Sequence, residues 1–364
     1  MRARGDVIGW DIGGAHVKAC RLQDGRVADV AQWPCPLWTG LQHLDAALDQ
    51  AAARWPTMGA AEHVVTMTGE MVDLFPDREA GVRGLATHLA RGLPTPPLFY
   101  AGELGWCQAG DAAALWPAIA SANWRATASW VARWARGQGR DAGLLVDIGS
   151  TTTDLIAFRD GRVLGHSRSD FDRLASGELV YQGVVRTPLC ALAPRIEFGG
   201  RVLNVMNEFF ATTADVYRLT GELDPAHDQH PSADSAPKDR RATQQRLARL
   251  VGQDARDADD AEWLAFARAW RAAQVAELGG QLRRVAAAFE LPDIAIFVAA
   301  GCGAFLLPDV LKAARRASPE RCFDFGLDTV PLAPGAAADV ADWARVGAPC
   351  VALALLFAAP EGAG

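Results

Sequence analysis

One short pattern, present twice, limits what this chain can become. Val7 to Leu22 reads Val-Ile-Gly-Trp-Asp-Ile-Gly-Gly-Ala-His-Val-Lys-Ala-Cys-Arg-Leu, and Leu144 to Phe158 reads Leu-Leu-Val-Asp-Ile-Gly-Ser-Thr-Thr-Thr-Asp-Leu-Ile-Ala-Phe. The two align without a gap, so that Asp11 falls on Asp147, Ile12 on Ile148 and Gly13 on Gly149. A short apolar run, an acid at its end, a glycine bend and a second apolar run predict strand, tight turn, strand in both places. Asp24-Gly25-Arg26-Val27 and Asp160-Gly161-Arg162-Val163 lie at matching offsets beyond the turns, and Asp-Gly between apolar runs is a hairpin signal. Each copy is expected to form a three-stranded meander.

A repeated unit of this kind predicts two similar halves facing each other across a cleft, with both glycine turns pointing into it. Backbone N–H groups at such bends suit anions. Gly13, Gly14, Gly149, Ser150, Thr151 and Thr152 are therefore the candidate phosphate cradle. Asp11 and Asp147 are candidate Mg2+ ligands, directly or through water, and Lys18 is a point charge for a phosphate. One such turn could be only a bend between strands; the pair argues for a shared ligand. Lys18 stands in the first copy where Asp154 stands in the second, so the halves offer a cation and an acid at equivalent points. Asp154 shares a strand face with Thr152 and is a candidate base or water-bridged metal ligand, or simply a partner of the turn. Glu70 follows a buried strand expected over His63 to Met67, which makes it a cleft candidate or a cap of the next segment.

Asp-Ile-Gly-Gly and Asp-Ile-Gly-Ser-Thr-Thr-Thr-Asp resemble the two phosphate motifs of the acetate and sugar kinase, Hsp70 and actin superfamily. Val298-Ala-Ala-Gly-Cys-Gly-Ala-Phe305 resembles its third, nucleotide-side glycine motif, and the three occur in the expected order. This implies an α/β fold of two ribonuclease-H-like lobes around a central cleft, and it adds Gly301 and Gly303 to the cofactor-binding set. Within the superfamily, Ile-Gly-Trp-Asp-Ile-Gly-Gly-Ala, Thr-Gly-Glu-Met-Val-Asp, Ser-Ala-Asn-Trp, Gly-Glu-Leu-Val-Tyr-Gln-Gly-Val-Val-Arg-Thr-Pro and Asn-Glu-Phe-Phe-Ala-Thr are similar to the hydantoinase/oxoprolinase-like branch linked to tetrahydromethanopterin C1 transfer. That branch includes a synthase of methanofuran biosynthesis. The resemblance implies a transferase that joins an aminomethylfuran diphosphate to the phenol of a glutamyl-tyramine and releases diphosphate, with Asp11, Lys18, Glu70, Asp147 and Asp154 as catalytic candidates and Mg2+ as cofactor. An ATP-dependent small-molecule kinase and a non-catalytic nucleotide-binding protein are the alternatives on the same fold.

The 364 residues, half of them hydrophobic, suffice for a large core in two lobes. The first is expected over 1–140 and the second over 141–340 with a mobile loop at 224–241; a C-terminal helical segment over 341–364 could complete the first lobe. The formal charge of -7 and the pI near 5.5 disfavour nucleic acid and anionic membranes as partners. The expected partner is a phosphorylated or diphosphorylated small molecule, with a homo-oligomer admitted. Seven scattered cysteines without a Cys-x-x-Cys pair, and no apolar leader before Val7, point to a reduced, cytoplasmic setting.

Periodicity predicts helices over 41–55, 81–91, 117–136 with a break at Ser121-Ala122-Asn123-Trp124, 204–219, 242–289 and 305–316, and strands over 97–101 and 294–299. Asn123 and Trp124 are candidate pocket residues. In the 224–241 stretch, Asp224, His227, Asp228 and His230 could hold a metal, but a solvated loop is preferred because metal sites need rigid support. Cys302 is expected to pack in its turn and not to act as a nucleophile, since no paired histidine lies near it in sequence.

Overall fold

The apolar runs of the two repeat copies become the central strands of two separate sheets. The computed structural model describes residues 5–165, 169–316 and 319–359. Its first half comprises β1 (Val7–Ile12), β2 (His16–Gln23), β3 (Arg26–Pro34), α1 (Gln42–Arg54), β4 (Glu62–Met67), α2 (Arg78–Gly92), β5 (Leu98–Tyr100), β6 (Trp106–Cys107), α3 (Trp116–Ile119) and α4 (Asn123–Gly137). There follow β7 (Ala142–Ile148), β8 (Thr153–Arg159), β9 (Arg162–Val163), α5 (Asp170–Ser176), β10 (Leu179–Val180), α6 (Leu189–Leu192), β11 (Arg195–Phe198), β12 (Arg201–Asn204), α7 (Thr213–Thr220), α8 (Arg240–Arg249) and α9 (Asp260–Ala288). The chain closes with β13 (Ile296–Ala300), α10 (Leu307–Ala313), β14 (Cys322–Asp324), α11 (Val340–Val346) and α12 (Ala348–Ala358).

The first sheet runs β3-β2-β1-β4-β5-β6 and the second β10-β8-β7-β13-β14, with β9 also on β8. In both, an antiparallel hairpin is followed by parallel pairing, β1 with β4 and β7 with β13. The hairpin registers coincide: Asp11 lies opposite Lys18, and Asp147 lies opposite Asp154. This is the expected two-lobed α/β architecture.

β1 and β7 are covered on both faces, which is why each reads as an almost continuous apolar run. Ile8, Trp10 and Ile12 face a core with residues of α1 and α2, while Leu144, Val146 and Ile148 face one with α7, α9 and α10. Between the sheets, α4 and α12 share a third core with Val7, Leu145, Ile156 and Val298. A helix apolar all round belongs in such an interior, and nine of the eleven residues of α12 are buried. Among the described residues no single helix is long and apolar enough to cross a membrane.

The departures from expectation have local causes. The third strand of the second meander is only two residues long, and β10 pairs with the start of β8 instead. The helix expected over 204–219 begins only at Thr213, where Thr212 and Asp215 form a reciprocal cap, and 201–204 is a strand. The helical stretch over 242–289 divides between α8 and α9, with Gly252 at φ +69 and an Asp259–Glu262 cap restarting it. Ser121, at φ +50, breaks α3 from α4.

Gly9 decides how closely α12 approaches the first sheet, since a Cβ there would lie 2.2 Å from the Cys350 carbonyl oxygen and 2.9 Å from Ala354 Cβ. Gly9→Val should lower unfolding free energy by about 2–3 kcal/mol through overpacking, read by urea denaturation; an unchanged midpoint would mean that α12 is not seated on β1.

Candidate active site

The two glycine turns have the same hydrogen-bond construction. Gly13 N–H donates to His16 O at 3.0 Å, and Gly149 N–H to Thr152 O at 2.8 Å. Both glycine amides are thereby spent on closing the turns. The amides of Gly14, Ala15, Ser150, Thr151 and Thr152 have no hydrogen-bond acceptor among the described residues, and all five residues line one cavity. The 183–186 segment braces the second turn: Val184 N–H donates to Gly149 O, and Val185 and Arg186 N–H donate to Ser150 O. Gly183 permits this, because a Cβ there would lie 2.4 Å from Thr151 N.

That cavity, of about 500 Å³, is bounded by residues from both sheets. Asp11, Lys18, Asp147 and Asp154 all line it, so the repeat brings its four charged positions together. Five carboxylates (Asp11, Asp73, Asp147, Asp154, Asp170) face three cations (Lys18, Arg173, Arg186). Burial pushes Asp11 up to about 6, although Lys18 and the neighbouring Asn123 amide pull it down. Burial, and then Asp154, push Asp147 up to about 7. Burial also raises Asp154, against the opposing pull of Arg173. Asp11 Oδ1 is buried without a hydrogen-bond partner. An orphaned oxygen amid an excess of crowded acids, beside unoccupied amides, is a donor set that fits a divalent cation and a phosphate group.

Some expected site residues do not line the cavity, although one of them, Gly301, packs against Asp147: a Cβ there would lie 2.5 Å from Asp147 Oδ1. Glu70 does not line the cavity. The chain enters a 3-10 turn at Gly69, and the Glu70 side chain is wholly buried, accepting a hydrogen bond from Ser121 Oγ at 2.9 Å. It is Ser121 that faces the cavity. Gly301 and Gly303 do not line it either, and their amides are committed to Arg345 O and Ile148 O at 2.9 and 2.7 Å. Their lack of side chains serves close packing: a Cβ on Gly301 would lie 2.2 Å from Ile148 O, and one on Gly303 2.4 Å from Ile148 Cγ2. Three 3-10 residues separate them from α10, which starts at Leu307. Cys302 is pushed up to about 11 by burial, as suits a packing residue. Asn123 lines the cavity but Trp124 does not; Trp124 instead carries Arg173 over its ring at 4.4 Å.

Arg173 is a site residue that sequence spacing did not disclose. It projects from α5, forms an ion pair with Asp154, and bonds Asp170 at 3.2 Å. Arg186 and Trp38 also line the cavity, with the guanidinium 5.3 Å from the ring centre. The 224–241 segment, expected to be mobile and solvated, is tied down. Asp228 pairs with Arg218 and Lys238, and Asp234 with Arg246 and Arg249. Its polar residues are counter-charges for basic residues of α7, α8 and the segment itself. The segment reaches the first lobe: a His230 ring nitrogen lies 3.0 Å from Ala15 O, its ring stands edge-on to His16 at 4.4 Å, and Gln32 donates to Gln229 at 3.1 Å. Asp224, His227, Asp228 and His230 do not form one cluster, since Asp228 and His230 are engaged in these separate contacts.

Glu70 is pushed from 4.5 to about 7 by burial, and its second oxygen is unpartnered. Between those values the folded chain holds a proton that the unfolded chain has released, so stability falls as pH rises from about 4.5 to 7 and levels off above, a loss on the order of 3 kcal/mol. Glu70→Gln should therefore gain more melting temperature over the wild type at pH 8 than at pH 5. An equal difference at both values would contradict a protonated Glu70.

Comparisons with known proteins give the family and the fold. The hydantoinase/oxoprolinase family model matches residues 61–318. A curated protein of Methanocaldococcus jannaschii is 28% identical over 305 residues, covering 84% of this chain and 88% of that protein. One from Methanococcus vannielii is 30% identical over 169 residues, 46% of this chain and 74% of that protein. Both are named as synthases of a furan-2-yl methanamine bearing a γ-glutamylaminoethyl-phenoxymethyl arm. Nucleotide-free acetone carboxylase superposes with a TM-score of 0.58 at 11% identity, over 96% of this chain and 70% of that one, and so shares the fold. With the family match spanning most of its length, the chain belongs to the hydantoinase/oxoprolinase family.

Proposed function

We propose that this protein is a transferase of methanofuran-type cofactor biosynthesis that forms an aryl ether between an aminomethylfuran diphosphate and the phenol of a γ-glutamyl-tyramine. The observation that supports this most is the convergence of two matched Asp-Ile-Gly turns on one cavity, in a chain similar along most of its length to a synthase named for such an ether. In this account the bond from the furan methylene carbon to the diphosphate oxygen breaks, the phenol oxygen bonds to that carbon, and the phenolic proton passes to a carboxylate. Diphosphate and the ether are the products. Electron release from the furan favours departure of the leaving group.

The chain's own groups divide this work. The free amides of Gly14, Ala15 and Ser150 to Thr152, together with Lys18, bind the diphosphate and stabilise the charge that grows on it. Asp11 and Asp147 would hold Mg2+, which supplies further neutralisation of that charge. Asp154, oriented by Arg173, takes the phenolic proton, and Arg186 over Trp38 offers a cation to the acceptor's carboxylate. Substrates filling the cavity would displace water from around the activated methylene. A cytosolic setting belongs to the same reading, and Cys20, Cys35, Cys107, Cys190, Cys302 and Cys350 form no disulfide.

Incubation with both substrates should yield the ether by mass spectrometry and one diphosphate per ether. ADP formation from ATP without ether would replace this function with that of a kinase. Lys18→Met should weaken Mg2+-dependent diphosphate binding by calorimetry about tenfold to a hundredfold, as loss of a charge-assisted contact of about 1.5–3 kcal/mol implies; unchanged binding removes Lys18 from the site. Asp154→Asn should lose turnover by about a hundredfold or more while still binding diphosphate. Near-normal turnover would leave Asp154 only a structural role.

A further inference from the structure

We infer that the chain carries a second cation site, outside the cavity of the matched turns, in which Asp224, His227 and Asp342 hold a zinc-class transition-metal dication. One potential ligand atom from each residue lies within 4.8 Å of the other two. None of the three lines the cavity described above. They come from the 224–241 segment and from α11, so the cluster joins pieces of chain that are distant in sequence.

Each member is held in place. Asp224 caps the 3-10 turn Pro225–His227, accepting from Ala226 N–H at 2.8 Å on Oδ1. Asp342 gives Oδ1 to Arg345, whose guanidinium is anchored on Asp324 at 2.9 Å, and turns Oδ2 toward His227. The His227 imidazole is 4% exposed and stands edge-on to Trp343 at 5.1 Å. Supports of this kind are what the solvated-loop expectation took to be missing.

The buried imidazole nitrogen is what points to a ligand. His227 Nε2 is buried and makes no well-formed hydrogen bond; Asp342 Oδ2, 3.4 Å away, stands at ion-pair distance and pairs with it only when the imidazole is protonated. Leaving a buried nitrogen unpaired is unfavourable. Two ligands each about 2.0–2.1 Å from a tetrahedral metal stand about 3.4 Å apart, which is the separation between His227 Nε2 and Asp342 Oδ2. One imidazole with two carboxylates is a borderline nitrogen–oxygen set that suits Zn2+, whereas Mg2+ and Ca2+ take oxygen shells. Waters would complete the coordination. Bound there, the metal would clamp the segment that sets His230 on the first glycine turn to the helix whose Arg345 carbonyl accepts from Gly301.

The test uses the full chain, stripped with chelator and kept in excess Mg2+ to fill the matched-turn site, then titrated with Co2+ and Zn2+. One Co2+ equivalent should bind with the intense visible d–d bands of tetrahedral Co2+ and no thiolate charge-transfer band, and Zn2+ should raise the melting temperature. His227→Gln and Asp342→Asn should each weaken binding by about tenfold or more. Should His227→Gln fail to fold, Asp224→Asn, at an exposed position and still able to accept from Ala226, gives the same readout. No stoichiometric binding, a thiolate band, or binding unchanged in these variants would overturn the site.

Discussion

The structure depends on two carboxylates near the ends of two central strands, Asp11 buried and Asp147 half-buried, that are directed into one cavity. Asp11 and Asp147 lose hydration, and Asp154 raises the cost of ionising both, with Asp11 adding to that of Asp147. Lys18 lowers the pKa of both only in part. A fold that keeps such groups trades stability for a prepared site, because unpaired buried charge is unfavourable until a partner arrives. The turn amides left without acceptors have the opposite polarity and lie in the same space, so cation and anion would be bound together.

The surrounding architecture holds these ends in register. Each acid ends a strand that is covered on both faces, and α12 lies against β1 because position 9 is glycine. The second turn is pinned through its carbonyls by residues 184–186, which leaves its N–H groups uncommitted. A chain of contacts from Trp124 through Arg173 to Asp154 fixes the acid of the second hairpin. The 224–241 segment spans the two lobes beside the first turn, and its own acids anchor it to α7 and α8.

What was legible in the sequence is what local order determines. The equivalence of Asp11 with Asp147 and of Lys18 with Asp154 followed from spacing alone, and the structure repeats it as one hairpin register, Asp11 opposite Lys18 and Asp147 opposite Asp154. Arg173 and Arg186 did not, for they reach the site from other elements, and neither did the contact of His230 with the Ala15 carbonyl, 215 residues away. Glu70 misled because strand alternation stops where a 3-10 turn starts, and the side chain then turns inward. Gly301 and Gly303 look from sequence like an anion cradle, yet a glycine needed for close backbone approach has the same signature. In the 224–241 stretch, polar composition resembled solvation because the arginines that consume it lie on helices 7 and 8.

The most direct measurement of the central claim is a crystal structure grown with Mn2+, as an anomalous substitute for Mg2+, and diphosphate. One metal peak should lie between Asp11 and Asp147, with diphosphate oxygens on the amides of Gly14, Ala15 and Ser150 to Thr152. Metal held by only one of the two carboxylates, or diphosphate bound away from both turns, would contradict the account.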